Sequence, residues 1–269
     1  MTPKRPELEP RPEETLDPAS PAEWDDFRAL AHRMVDDMLD YHSGQREGPA
    51  WQPIPKDVRE GYRRPPPMEG DDVEAVYREF TRTILPYPYG NIHPRHWGWV
   101  NGQGSPLGTM AEMLAATMNP NCWGGEHAAA YVEAQVIEWM REAMGMPEGT
   151  GGLLVSGGSM ANVLGLAAAR HHAHPGAVRD GLGAERGTPV VYASSEVHNS
   201  VDKAASLLGV GTANLRSIPV DADYRMEMDA LRRAIREDRR AGRRPMAVVA
   251  AAGTVNTGAT DDLEDVADL

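Results

Sequence analysis

The chain has 269 residues, with 40 acidic and 27 basic side chains and a formal net charge of −13. That length allows one large core or two smaller ones, and the acidic balance argues against general nucleic-acid binding, which needs a basic face for phosphates. One cysteine, Cys122, excludes an intrachain disulfide and fits a reducing, cytoplasmic setting, while the lack of any run of about 18 apolar residues predicts no membrane span.

The first residues, "MTPKRPELEPRPEETLDP", have no apolar h-region and do not read as a secretory signal. Fifteen of the 22 prolines lie before residue 95, so the first third differs in kind from the rest. Residues 1–23 read as a disordered, Pro- and Glu-rich tail. In "PAEWDDFRALAHRMVDDMLDYHSG" the residues Phe27, Leu30, Ala31, Met34, Val35, Met38 and Leu39 recur at helical spacing, with Ser20 or Pro21 near the start and Gly44 after the end. A proline linker, "WQPIPKDVREGYRRPPPMEG", follows, and "DDVEAVYREFTRTIL" predicts a second helix. Residues 24–90 carry too little apolar content to bury a core alone and are expected to wrap around a main domain or a partner subunit.

Residues 91–269 read as that main domain. "SPLGTMAEMLAATMN" and "HAAAYVEAQVIEWMREAMGM" predict helices. Short β-rich runs then alternate with helices: residues 153–155, "PVVYAS", "NLRSIPV" and "PMAVVAAAGT", with helices starting near Ser159, Glu196, Met226 and Asp261. Such alternation predicts an α/β domain with a mostly parallel sheet. The basic "RRAGRR" reads as the solvated end of a helix, favourable beside the negative end of its dipole. No metal site is read from the sequence.

In "VSGGSMANVLGLAAAR" an apolar run stops at Ser-Gly-Gly-Ser and resumes with helical spacing at Met160, Val163, Leu164, Ala167 and Ala168. The turn therefore opens a helix N-terminus, whose free N–H groups and positive dipole end attract an anion. Glycine lets backbone approach a phosphate closely. The stretch is neither a Walker A loop nor G-x-G-x-x-G, and a plain Ser N-cap with Gly for the turn remains the alternative. Two further strand ends carry small polar residues: Ser194, Ser195 and His198 in "YASSEVHNS", then Gly253, Thr254 and Asn256 in "AAGTVNTGA". Ligands of open α/β sheets sit at such carboxyl ends.

These residues resemble the pyridoxal-phosphate-dependent group II amino-acid decarboxylases, the aromatic-L-amino-acid branch in particular. The matching stretches are "MVDDMLDY", "VREGYRRPPP", "HPRHWGWVNGQGSPLG", "VEAQVIEWM", "VSGGSMANVLGLAAAR", "SSEVHNSVDKAASLLG" and "GTVNTGATDDLEDV", in the family's order from about residue 25 onward. The resemblance implies a fold-type-I large domain, a mostly parallel sheet flanked by helices, with an N-terminal helical clasp that holds the second subunit of a homodimer. It implies pyridoxal 5'-phosphate as cofactor and decarboxylation of an amino-acid substrate to its amine. Gly157, Gly158 and Ser159 would cradle the cofactor phosphate, His198 would stack on its ring and, as the catalytic residue, help position the carboxylate to be lost, and Thr254 would lie beside the ring. Many members have two threonines after the glycine, whereas here Val255 follows Thr254. Residues 93–106 would line the substrate pocket, with Trp97 and Trp99 as its walls.

The chain has three lysines, Lys4, Lys56 and Lys203, none at a position matching the family's Schiff-base lysine. That lysine and the aspartate paired with the pyridine nitrogen come later in the family's chains. The expectation is therefore an N-terminal part of such an enzyme, inactive alone. The alternatives are a non-catalytic cofactor-binding or dimerisation module, or another fold-type-I enzyme such as an aminotransferase.

Overall fold

A computed structural model describes residues 17–182 and 187–269. The chain divides into two units, one up to Asn119 and one from Pro120 onward. Of the tail read over residues 1–23, residues 1–16 lie outside the described ones; the rest leads into a helix cap.

In the first unit, helix α1 (Pro21–Ser43) starts where the Ser20 hydroxyl oxygen accepts the Glu23 N–H and the Glu23 carboxylate accepts the Ala19 N–H at 2.8 Å. The first contact satisfies a donor that the helix start leaves free, and the second holds the chain just before the cap. The stretch read as a linker contains a short helix, α2 (Lys56–Gly61), whose Lys56 pairs with Glu60 at 3.7 Å. Helix α3 (Val73–Glu79) continues into one π turn, Phe80–Ile84. Tyr77 is buried there and donates its hydroxyl to Asp37 of α1 at 2.6 Å. Burial and the neighbouring carboxylate push the Tyr77 hydroxyl up to about 12. Helix α4 (Pro106–Met118) is capped by Ser105, which accepts the Gly108 N–H at 3.0 Å, and ends on Asn119 in the left-handed region. In this unit only Leu30, Tyr77, Gly90 and His93 are buried among the described residues.

The second unit opens with α5 (Ala128–Ala143), α6 (Gly157–Ala173) and the short α7 (Ala177–Asp180). Then come β1 (Pro189–Ser194), α8 (Ser200–Leu207), β2 (Leu215–Ile218), α9 (Met228–Arg240), β3 (Arg244–Val249) and α10 (Leu263–Ala267). The three strands form a parallel sheet in the order β2-β1-β3, with Val191 opposite Leu215 on one side and Ala247 on the other. All six residues of β1 are buried, as a central parallel strand covered on both faces must be. Successive side chains take opposite faces. Val190 and Tyr192 join Ile218, Met226, Leu231 and Ile235 beneath α9. Val191 joins Leu166 of α6 and Val201, Ala204 and Ala205 of α8 on the other face. The expected α/β architecture, a parallel sheet flanked by helices, is what this unit adopts.

One buried carboxylate ties the first of these layers together. Asp238 of α9 accepts the Tyr192 hydroxyl at 2.9 Å and a two-pronged contact from Arg216 at 3.0 and 2.7 Å, with Arg243 at 3.5 Å. The Arg216 guanidinium holds the Asp238 carboxyl below the usual carboxylate range, and burial pushes the Tyr192 hydroxyl up.

Several local expectations are corrected. Residues 153–155 form no strand, because no partner pairs with them among the described residues, and Leu153 and Leu154 are exposed. The helix expected near Glu196 begins at Ser200. The intervening residues make a turn instead, with the Val197 N–H on the Ser194 carbonyl. The last predicted strand ends at Val249 and gives way to a loop in which Ala252 bridges Thr260. No helix among the described residues is long and apolar enough to cross a membrane.

Candidate functional site

The site is built at the carboxyl edge of the sheet. Helix α6 begins at the Ser-Gly-Gly-Ser turn, and the Ser156 side chain makes no capping hydrogen bond. Gly157 has φ +78, a conformation that disfavours any side chain, and nothing lies within 4 Å of where a Cβ would stand on it or on Gly158. Residues 156–160 are exposed. The helix therefore presents its first-turn N–H groups and the Ser159 hydroxyl to an open space, with the positive end of a 17-residue dipole behind them.

The β1 end supplies the next group. Ser194 is buried and its hydroxyl has no partner among the described residues. The turn after it exposes His198 just before α8. His198 Nδ1 lies 2.8 Å from the Ser200 hydroxyl oxygen and accepts the Ser200 N–H at 3.2 Å. Asn162 of α6 donates to the same Ser200 oxygen at 2.7 Å. That contact joins the second turn of α6 to the start of α8, so the Gly-Ser turn and His198 belong to one local assembly.

The β3 end supplies a third loop. Asp261, 3% exposed, accepts the Met226 N–H at 2.7 Å and the Ala251 N–H at 2.8 Å. The Thr254 N–H donates to the Ala259 carbonyl at 2.9 Å, and its hydroxyl is 2.6 Å from that of Thr257. Thr254 is buried, so its side chain turns into the loop, while Val255 and Asn256 form the exposed tip. Asn256 reaches Glu196 of the β1 turn at 3.5 Å. The structure thus gathers Gly157, Gly158, Ser159, His198 and the Thr254 loop at adjacent helix and strand ends.

Trp97 and Trp99 lie in the first unit. Trp97 is 92% exposed, and Trp99 stacks on Tyr89 with centroids 6.2 Å apart. Asn162 and Ser200 had no place in the sequence reading, and Asp261 entered it only as the start of a helix. Ser200 could have been noticed two residues after His198, and Asp261 as the first of a pair in which Asp262 is the α10 cap. Lys56 is exposed, and Lys203 is exposed on α8 while Val201, Ala204 and Ala205 of that helix are buried. Among the described residues no cluster of three or more His, Cys, Asp or Glu could hold a metal ion.

An uncapped glycine turn, a histidine and a polar loop thus lie along one edge of a parallel sheet, which makes the second unit an α/β domain. Residues 55–269 match the family model described as the pyridoxal-dependent decarboxylase conserved domain, and the chain belongs to that family. It is 32% identical over 248 residues to an aromatic-L-amino-acid decarboxylase of Bacillus atrophaeus, covering 91% of this chain and 50% of that one. It is 31% identical to a tyrosine decarboxylase of Oryza sativa subsp. japonica, covering 90% of this chain and 47% of the relative. The crystal structure of Oryza sativa TDC with PLP and tryptamine superposes with a TM-score of 0.82 at 28% identity, over 94% of this chain and 54% of that one. The chain spans about half the length of the curated relatives it matches.

Proposed function

We propose that the chain binds pyridoxal 5'-phosphate at the α6 turn and that the protein acts as an amino-acid decarboxylase. The observation that carries this is the open, uncapped start of α6 beside His198. The turn fits a phosphate: the backbone N–H groups of Gly157 and Gly158 and the Ser159 hydroxyl are donors, exposed, with no side chain in the way. His198 would hold the ring face, and the Asp261-braced loop would bound the far side. When bound, the cofactor supplies an electron sink for the carbanion left when an amino acid loses carbon dioxide. Aromatic amino acids are the substrate class supported by the named relatives.

The test is a titration of the chain with pyridoxal phosphate and with pyridoxal, followed by absorbance. Binding should favour the phosphorylated form, and Ser159→Ala should weaken it by about 1–3 kcal/mol, the effect of one hydrogen bond to a charged group. Equal affinity for the two compounds, or an unchanged Ser159→Ala variant, places the phosphate elsewhere. A second reading, cofactor binding without turnover by this chain alone, is favoured by the exposed positions of Lys56 and Lys203. Trapping with borohydride should then label neither lysine stoichiometrically.

A homodimer is the proposed assembly. Within the first unit, Leu107, Leu114 and Met118 are exposed along α4, and within the second, Tyr131, Trp139 and Met140 along α5, each an apolar helix face of the kind a partner covers. Sedimentation should show a concentration-dependent dimer that Trp139→Glu weakens; a monomer at every concentration removes this reading. The free Cys122 supports a cytoplasmic location.

A further inference from the structure

We propose that Asn162 and Ser200 are positioning residues that lock the His198 ring in its Nε2–H tautomer and turn that N–H outward; the functional use of this lock rests on the cofactor-site reading above.

The argument begins with a group that can only donate. The Ser200 backbone N–H points at His198 Nδ1 at 3.2 Å, so Nδ1 must offer a lone pair and carries no proton. A neutral imidazole then holds its proton on Nε2. The Ser200 hydroxyl, 2.8 Å from the same nitrogen, adds a second donor there. Its own oxygen is free to accept, and the Asn162 amide N–H occupies it at 2.7 Å. The chain of donors runs one way, from Asn162 to Ser200 to Nδ1. Reversing the tautomer would set Nδ1–H against the Ser200 N–H.

Burial makes the direction stick. Ser200 is 1% exposed, and Asn162 is half-buried between α6 and α8, so solvent has little access with which to reorient the hydroxyl. His198 is exposed. With Nδ1 held inward, Nε2 lies on the other side of the ring and has no partner among the described residues. The outward group is therefore a hydrogen-bond donor. It suits an anionic oxygen, such as the carboxylate of an α-amino acid, and does not suit a role as proton acceptor. Asn162 is also the sixth residue of the helix that opens at the Gly-Ser turn. One rigid element thus presents the anion-binding N–H groups and fixes the proton on the neighbouring ring.

The test reads the tautomer directly. Long-range ¹⁵N–¹H correlation spectra of the full chain with ring-labelled histidine, at a pH where imidazoles are neutral, distinguish Nδ1–H from Nε2–H. The His198 signal is assigned by its loss in His198→Gln. Wild type should show a dominant Nε2–H form. Ser200→Ala and Asn162→Ala should each lower the Nε2–H to Nδ1–H ratio by about fivefold or more, the weight of one hydrogen bond, and Ser200→Thr should restore it. The other eight histidine signals report whether each variant keeps its fold; if Ser200→Ala does not fold, the half-buried Asn162→Ala carries the test. A wild-type Nδ1–H form, or wild-type ratios in both alanine variants, overturns the proposal. Titrating the same samples with pyridoxal phosphate separates the two readings. Ratios that shift in a chain without cofactor affinity leave the lock standing and remove the cofactor site. Cofactor binding with unmoved ratios does the reverse.

Discussion

Asp238→Ala should destabilise the chain by about 1–3 kcal/mol, the effect of leaving a buried hydroxyl without its acceptor, since the arginine partners Arg216 and Arg243 keep access to water. The side chain is 1% exposed and serves the Tyr192 hydroxyl, Arg216 and Arg243 at once. Tyr192 is itself fully buried, so its hydroxyl would be left without an acceptor. The same carboxylate makes stability depend on pH. Arg216 and Tyr192 hold its folded-state pKa below the ordinary value of about 3.9. A depressed carboxyl contributes stability that is complete above the unfolded value and is lost as pH falls through the folded one. Urea unfolding of wild type should therefore lose midpoint concentration as pH drops below about 4, and Asp238→Asn should show a flatter profile from a lower start. Identical urea midpoints at neutral pH for wild type and Asp238→Ala would remove Asp238 as the tie between α9, β1 and β2.

Gly90→Ala should destabilise the first unit by about 3 kcal/mol or more, combining backbone strain with overpacking. Gly90 has φ +95, and a Cβ there would stand 2.2 Å from the Ala50 carbonyl oxygen, which is backbone and cannot swing away. Gly104 provides the comparison, because it has φ +70 with nothing within 4 Å. Gly104→Ala should cost only the left-handed strain, about 1–2 kcal/mol. Chemical denaturation of the two variants separates strain from collision. Equal losses would show that residues 50 and 90 are not in this close approach.

The long elements were legible because their signals are local. Helix α1 carries its cap, its periodicity and its closing glycine within one stretch of chain. The run "PVVYAS" reads as a short β-rich strand, and β1 is that strand, buried along its whole length. The Gly-Ser turn announced the start of α6 to within two residues. What escaped depends on partners far along the chain. Residues 153–155 have the composition of a strand, but a strand exists only where another pairs with it. The start of α8 moved to Ser200 because Ser194 and His198 carbonyls hold the preceding residues in turns. Helix α2 was hidden by flanking prolines, which permit a helix that begins just after one of them. Within the site, His198 stood out by residue type. Asn162 did not, since its role rests on a contact with Ser200, 38 positions away, that no spacing rule encodes. Asp261 was masked by Asp262, which performs the capping that a paired acidic motif predicts.

The sheet order has a consequence for how the protein comes to be made. β1 is the central strand, yet it precedes both of its neighbours in the chain, and its pairing with β3 joins Ala193 to Val249, 56 positions later (249 − 193). During synthesis at roughly 5–20 residues per second, that gap corresponds to about 3–11 s. Throughout it the strand lacks its β3 neighbour, and for most of it Val190 and Tyr192 also await α9, the layer that will cover them. Non-local parallel pairing of this kind is slow and leaves apolar backbone open to wrong partners. The nascent segment "PVVYAS" is thus the stretch whose pairing is completed last relative to its own synthesis, and the one a nascent-chain chaperone would shield.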